Sequence, residues 1–168
     1  MAAFRIHPAT ADHIPTVATL FREYAEGLGV DLSYQGFEAE CATLPGAYAP
    51  PAGALLLALS DQDEPLGCVA VRPLAAPGVG PNACEMKRLH TRPNARGAGI
   101  GRALAEAAIQ AATSAGYRTM CLDTLPTMRA AHHLYRQLGF EVIPPYYESP
   151  ITGTLFMRRR LAPQKKQP

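Results

Sequence analysis

The sequence predicts an α/β domain, and three observations carry that prediction. Short apolar segments with strand-like alternation are interleaved with longer ones whose apolar residues recur at helical spacing. The order along the chain is strand, helices, two strands, then strand–helix–strand–helix–strand. A glycine-rich turn, Arg96-Gly97-Ala98-Gly99-Ile100-Gly101, joins one strand to an alanine-rich helix.

Phe4-Arg5-Ile6 alternates and is closed by Pro8, which predicts a short first strand. After Ala11-Asp12, residues Ile14, Val17, Leu20, Phe21 and Tyr24 follow an i, i+3, i+4, i+7 pattern, an amphipathic helix ended by Gly27 and Gly29. A weaker helical segment covers Tyr34 to Thr43, before the turn at Pro45-Gly46. Ala54 to Leu59 and Gly67 to Val71 read as strands around the polar turn Asp61 to Glu64, an antiparallel hairpin. Pro73 to Pro81 reads as a loop and Ala83 to Thr91 as the next strand. Arg102 to Ala115 is strongly helical, with Gly116 as its stop. Tyr117 to Leu122 is a strand, and Thr127 offers a cap to a helix from Met128 to Leu138 that Gly139 ends. Phe140 to Ile143 and Thr154 to Met157 supply the last strands. Residues 1–161 are thus expected to form one domain, and residues 162–168 a disordered tail.

Composition narrows the function classes. With 168 residues, 48% hydrophobic and 18% charged, the chain suits one domain with a substantial core. No apolar run approaches the ~18 residues that a membrane span needs. Met1 to Ala11 carries Arg5 and His7 where a secretory signal has an apolar stretch. A net charge of +2 makes no case for nucleic acid; Arg158-Arg159-Arg160 and Lys165-Lys166 read as a solvated strand end and tail. Cys41, Cys68, Cys84 and Cys121 make no C-x-x-C pair, and the last three lie in apolar stretches where cysteine acts as a small hydrophobe. A reducing cytoplasm is the expected setting, with no metal.

The glycine turn is where a ligand is expected. Glycines let backbone approach a ligand closely, and the N–H groups at a helix start form an anion site. A pyrophosphate fits such a turn, with Arg96 and Arg102 able to add charge. A dinucleotide fingerprint is the rival, since Asp123 follows at a suitable distance. The spacing is G-x-G-x-G rather than G-x-G-x-x-G, however, and the turn comes too late in the chain for a doubly wound sheet.

Arg96, Gly99 and Gly101 match an R/Q-x-x-G-x-G/A turn, and Ala131-His132-His133-Leu134-Tyr135-Arg136-Gln137-Leu138-Gly139-Phe140 matches an A-x-x-L-Y-x-x-x-G-F segment downstream. With both motifs in order, the region from Ala83 to Phe140 resembles the GNAT superfamily of N-acetyltransferases. The first eighty residues match only in general character. The resemblance implies a mixed, strongly twisted sheet of six to seven strands flanked by about four helices, with two central strands, Ala83 to Thr91 and Tyr117 to Leu122, splayed around acetyl-CoA. It places Leu89, His90 and Thr91 along the pantetheine arm, paired through main chain, so that Thr91 in place of the usual valine costs little. It places Arg96, Gly97, Ala98, Gly99, Ile100, Gly101 and Arg102 around the pyrophosphate. Many members carry an asparagine seven residues before the tyrosine; Met128 stands there, so that contact is absent or falls to Thr127 or Thr124.

Acyl transfer from a thioester to a primary amine needs a neutral amine and a proton for the departing thiolate. Tyr135 is the expected acid, a role the resemblance implies. Glu85 is the expected base: it stands four residues before Leu89, hence on the same strand face, where histone-type members carry a glutamate. A salt bridge to Lys87 or Arg88 is the alternative for Glu85. His90, His132 and His133 show no metal pattern, and Cys121 has no evident base beside it. Tyr24, Tyr34, Glu38, Glu40 and the loop Pro144-Pro145-Tyr146-Tyr147-Glu148 are the acceptor-side candidates, suited to a cationic amine. A catalytically silent acyl-CoA sensor is the competing class, and a homodimer stays open.

Overall fold

The computed structural model describes residues 3–163. The five residues 164–168 of the expected tail lie outside the described residues; Ala162 and Pro163 are exposed and carry no regular structure. Strands β1 (Phe4–Pro8), β2 (Ala54–Ser60), β3 (Pro65–Leu74), β4 (Ala83–Thr91), β5 (Thr119–Thr124), β6 (Glu141–Ile143) and β7 (Leu155–Arg160) form one sheet in the order β1-β2-β3-β4-β5-β7-β6. Every neighbouring pair is antiparallel except β4 and β5. Helices α1 (Ile14–Leu28), α2 (Phe37–Ala42), α3 (Ile100–Ser114) and α4 (Arg129–Gln137) complete the α/β architecture.

Period-2 alternation assigns each strand residue to one of two cores. Leu56 and Ala58 of β2, Val69 and Val71 of β3, Cys84 and Met86 of β4, and Met120 and Leu122 of β5 face α3 and α4. Leu55, Leu57 and Leu59, with Cys68 and Ala70, face α1 and α2, meeting Val17, Leu20, Phe21 and Phe37. On α3, Ala105, Ala108 and Ala112 are buried beside Leu104, so small side chains let the helix lie close on the sheet. All four cysteines are free and buried, as the apolar surroundings of three of them predict.

Boundaries departed from the sequence reading where turn chemistry intervened. Gly36, at φ 68°, divides the expected Tyr34 to Thr43 helix into a 3-10 turn, Ser33–Gln35, and α2. β3 runs on to Leu74 through Pro73, pairing with Cys84 and Ala83. β5 starts at Thr119 rather than Tyr117, because the stop of α3 absorbs Tyr117: its N–H donates to Ala112 O at 3.1 Å, across Gly116 at φ 91°. Met128, not Thr127, precedes the first turn of α4, and no side chain caps it.

Two irregularities in β4 position the site. β4 and β5 pair through only three residues, Ala83↔Thr119, Cys84↔Met120 and Glu85↔Cys121, and the register goes no further; these are the strands expected to splay. Against β3, Lys87 lies opposite Ala70 and His90 opposite Cys68, so Arg88 and Leu89 together face Val69. This is a β-bulge with Arg88 at φ 60°, and it reverses which face the following residues occupy.

Gly67 is required beside that bulge. A Cβ there would stand 2.4 Å from His90 O and 3.1 Å from Leu104 Cδ1. Gly67→Ala should cost about 2 kcal/mol through backbone displacement, read as a lower urea midpoint.

Candidate active site

The gap between β4 and β5 opens into a groove of ≈500 Å³. Leu89, His90 and Thr91 from β4, with Arg96 and Gly101, line one wall, and Thr127, Met128 and Leu134 line the other. Gly97 (φ 83°) and Gly99 (φ 81°) hold left-handed backbone with open space where a Cβ would project, and Gly99 is the N-cap of α3. The first-turn N–H groups of a helix have no intrahelical partner, so this corner is built for an anion. Ile100 is buried and Ala98 packs against the same core, which leaves main chain as what these residues offer a ligand. Arg102 departs from expectation: its guanidinium donates to Gln137 and pairs with Glu106 at 3.5 Å, facing an outer groove with Arg158 to Arg160.

On the α1/α2 side the bulge turns Lys87 and Arg88 to the same face. Arg88 grips Glu40 with Nε at 2.8 Å and Nη2 at 3.0 Å, donates Nη1 to Gln35 Oε1 at 2.8 Å, and lies over the Phe37 ring at 5.2 Å. Lys87 Nζ donates to Gln35 Oε1 at 3.1 Å and lies 3.5 Å from Asp123 Oδ1. Asp123 Oδ2 accepts from the Tyr147 hydroxyl at 2.5 Å. Glu85, 1% exposed, has both oxygens engaged: Oε1 by Arg72 (2.9 and 3.0 Å) and Oε2 by the Tyr146 hydroxyl at 2.5 Å. These three carboxylates and the cations Arg72, Lys87 and Arg88 balance in charge. Burial, joined by the neighbouring Tyr24 and Asp123, pushes the Tyr135 phenol well above its ordinary range. Burial likewise raises Tyr24, to about 12.

Tyr135 sits at a throat. A narrow space of ≈20 Å³, room for about one water, is lined by Tyr135, Asp123, Lys87, Tyr34 and Gln35. It shares Tyr24, Leu28, Leu89 and Met128 with the groove on one side. It shares Tyr34, Gln35 and Lys87 with a pouch of ≈400 Å³ on the other, whose walls add Arg72, Glu85, Tyr146 and Tyr147.

The model of the acetyltransferase (GNAT) family matches residues 16–140. An N-acetyltransferase of Schizosaccharomyces pombe is 41% identical over 143 residues, covering 85% of each chain. The chain belongs to the GNAT acetyltransferase family. It is an acetyl-CoA-dependent N-acetyltransferase. An N-acetyltransferase of Escherichia coli K12 is 28% identical over 131 residues, 77% of each chain. The GNAT superfamily phosphinothricin acetyltransferase of Sinorhizobium meliloti, solved in complex with acetyl-CoA, superposes with a TM-score of 0.72 at 21% identity, covering 97% of this chain and 94% of that one.

In this GNAT acetyltransferase the sequence-derived residues divide. The turn, Leu89, His90, Thr91 and Tyr135 converge on the groove and throat. Glu85 does not share a face with Leu89, because the bulge intervenes, and its partner is Arg72 rather than Lys87 or Arg88. Of the acceptor-side candidates, Tyr24, Tyr34, Tyr146 and Tyr147 line the cavities, whereas Glu40 is held by Arg88 and Tyr48 and Glu38 lies exposed on α2. Thr124 directs its hydroxyl to Met128 Sδ at 3.8 Å, and Thr127 reaches the groove. His132 is buried with Nε2 2.8 Å from Leu125 O, while His133 lies exposed beside Gln137, so the adjacent pair diverges. Among the described residues no His, Cys, Asp and Glu cluster could hold a metal, and no helix is long and apolar enough to cross a membrane. Sequence reasoning missed Lys87, Asp123, Gln35 and Arg72 as site residues. The sequence presents Asp123 as a ribose ligand; its place at the open end of a splayed strand is the signal that points to the throat.

Glu40→Ala should lower stability by about 3 kcal/mol, since it leaves Arg88 buried without its carboxylate. Replacing both Glu40 and Arg88 by leucine should recover part of that loss in chemical denaturation.

Burial holds His90 below the ordinary imidazole value, outweighing Glu23 beside it. Its contribution to stability is therefore present above the unfolded value of about 6.5 and is lost as pH falls through the folded one. His90→Gln should flatten the fall in urea midpoint below about pH 6.5.

Proposed function

We propose that this protein transfers the acetyl group of acetyl-CoA directly to a primary amine, with the two substrates meeting at Tyr135 from opposite sides. The observation that carries this reading is the throat itself. A long groove ending on the glycine turn and a separate pouch share walls only there, and Tyr135, Asp123 and Lys87 surround it. The phosphinothricin acetyltransferase, solved with acetyl-CoA, lends support through its shared fold.

The unpaired downstream edge of β4 receives the pantetheine arm as an added strand, through Leu89 and Thr91, with His90 beside it. The turn N–H groups from Gly97 to Arg102 hold the pyrophosphate, and Arg96 adds charge. Arg102 serves through its backbone, since its side chain lies elsewhere.

The amine, its ammonium proton first lost to solvent, attacks the thioester carbonyl carbon in its neutral form; the N–C bond forms and the C–S bond breaks. Tyr135, protonated at neutral pH like any phenol, gives its proton to the departing thiolate. The nitrogen becomes acidic as it adds to the carbonyl, and Asp123 takes its proton. The direct-base role expected of Glu85 thus passes to Asp123; Glu85 holds Arg72 and Tyr146 in the pouch wall. Proton return from Asp123 to Tyr135 through solvent completes the cycle. An acetyl-cysteine intermediate is not part of this route. Cys121 is fully buried, and burial raises its thiol to about 11.

Tyr135→Phe should lower kcat about 10²-fold while the acetyl-CoA KM changes less than about twofold, read by thiol release with an amine panel. Unchanged turnover would refute the acid role. Asp123→Asn should lower kcat comparably, and Glu85→Gln less.

A further inference from the structure

We infer that the acceptor is a small primary amine that also carries an anionic group, of the amino-acid type, and that Arg72 and Lys87 in the pouch bind that group. This rests on the transfer proposed above and goes on to name its substrate class.

The pouch of ≈400 Å³ has the size of a small-molecule site. Its walls mix the apolar run Leu74 to Pro77 and three tyrosines with the cations Arg72 and Lys87. Its one lining carboxylate, Glu85, and Asp123 in the adjoining throat both have protein donors. Glu85 has Arg72 on one oxygen and Tyr146 on the other, and Asp123 faces Lys87 and accepts from Tyr147. Glu85 presents no free oxygen to a second cation at the pouch.

The cations differ. Arg72 directs Nε and Nη2 to the single oxygen Oε1 of Glu85, and its side chain keeps 33% exposure. No protein acceptor among the described residues meets its Nη1 edge. Lys87 has three N–H donors, and Gln35 and Asp123 are the acceptors beside it. The strand register places the two together. Arg72 pairs with Glu85, and Lys87 is two residues further along the same face of β4, a diagonal neighbour at about 7–8 Å. A carboxylate, about that width with its hydrogen bonds, spans two such donors and receives charge-assisted bonds from both.

Lys87 lines both the pouch and the throat. An anion bound beside it therefore sits within a few bonds of the place where an amine meets Asp123 and Tyr135. That is the spacing of one molecule carrying both groups. A purely cationic amine would instead bring its charge against Arg72 and Lys87 as it entered.

The test uses the full chain and matched probes: amino acids, their amides and their decarboxylated amines as acceptors, and N-acetyl amino acids with their N-acetyl amides as products in the presence of CoA. Acetyl transfer should favour the acids over the amides by at least about tenfold in kcat/KM, the loss expected when a charge-assisted bond is removed. N-acetyl acids should raise Tm more than N-acetyl amides. Arg72→Gln should collapse both preferences toward one. Because that change strips Glu85 of its partner, the double variant Arg72→Gln with Glu85→Gln repeats the comparison without an orphaned charge.

Equal use of acids and amides, a preference for decarboxylated amines, or no differential thermal shift would overturn the anion site. Thiol release with no amine at all, alongside stabilisation by N-acetyl acids, would instead refute the proposed transfer while leaving the anion site standing.

Discussion

Everything in this molecule is arranged around two parallel strands that stop pairing. β4 and β5 hold together for three residue pairs and then part in the middle of a seven-stranded sheet. Backbone N–H and C=O groups at such a position need partners. An opening there is stable only if the rest of the sheet is secured independently. The β2–β3–β4 ladder, backed by α3, on one side and the β5–β7–β6 ladder on the other provide that. The groove is a gap in hydrogen bonding before it is a cavity.

The bulge at Arg88 decides what faces the gap. One extra residue sends Lys87 and Arg88 to the same side, where a strict alternation would have buried one of them against α3. Buried charge is tolerated only when compensated. Glu40, Asp123 and Glu85 come from three different elements to meet Arg88, Lys87 and Arg72. The pairings fix α2 and β5 against β4, so the same interactions that satisfy the charges set the width of the throat. Gln35, bonded to both Lys87 and Arg88, ties the α1–α2 connection into that arrangement.

The architecture was legible in the sequence because apolar periodicity and glycine stops act locally. β4 was read to its ends, and the turn at Gly97 and Gly99 was read from its glycines and its place before a helix. Tyr135 was legible through a motif on one short helix. The misreadings arose where the cause was not local. Glu85 was placed on the face of Leu89 by a period that a bulge interrupts, and no residue near Arg88 announces a bulge. Arg102 was aimed at the pyrophosphate by proximity in sequence, whereas its partners Gln137 and Glu106 lie on α4 and the next turn of α3. Lys87, Asp123 and Arg72 are not legible as neighbours of one cavity because that comes from three strands being adjacent, which no spacing encodes.

The throat has space for little more than one water between two much larger cavities. A thioester lodged on its groove side faces buried tyrosines rather than bulk solvent. Hydrolysis needs a water close to the thioester carbonyl, and the throat has space for little more than one. On the proposed route, the constriction therefore keeps the donor intact until an acceptor arrives to take water's place.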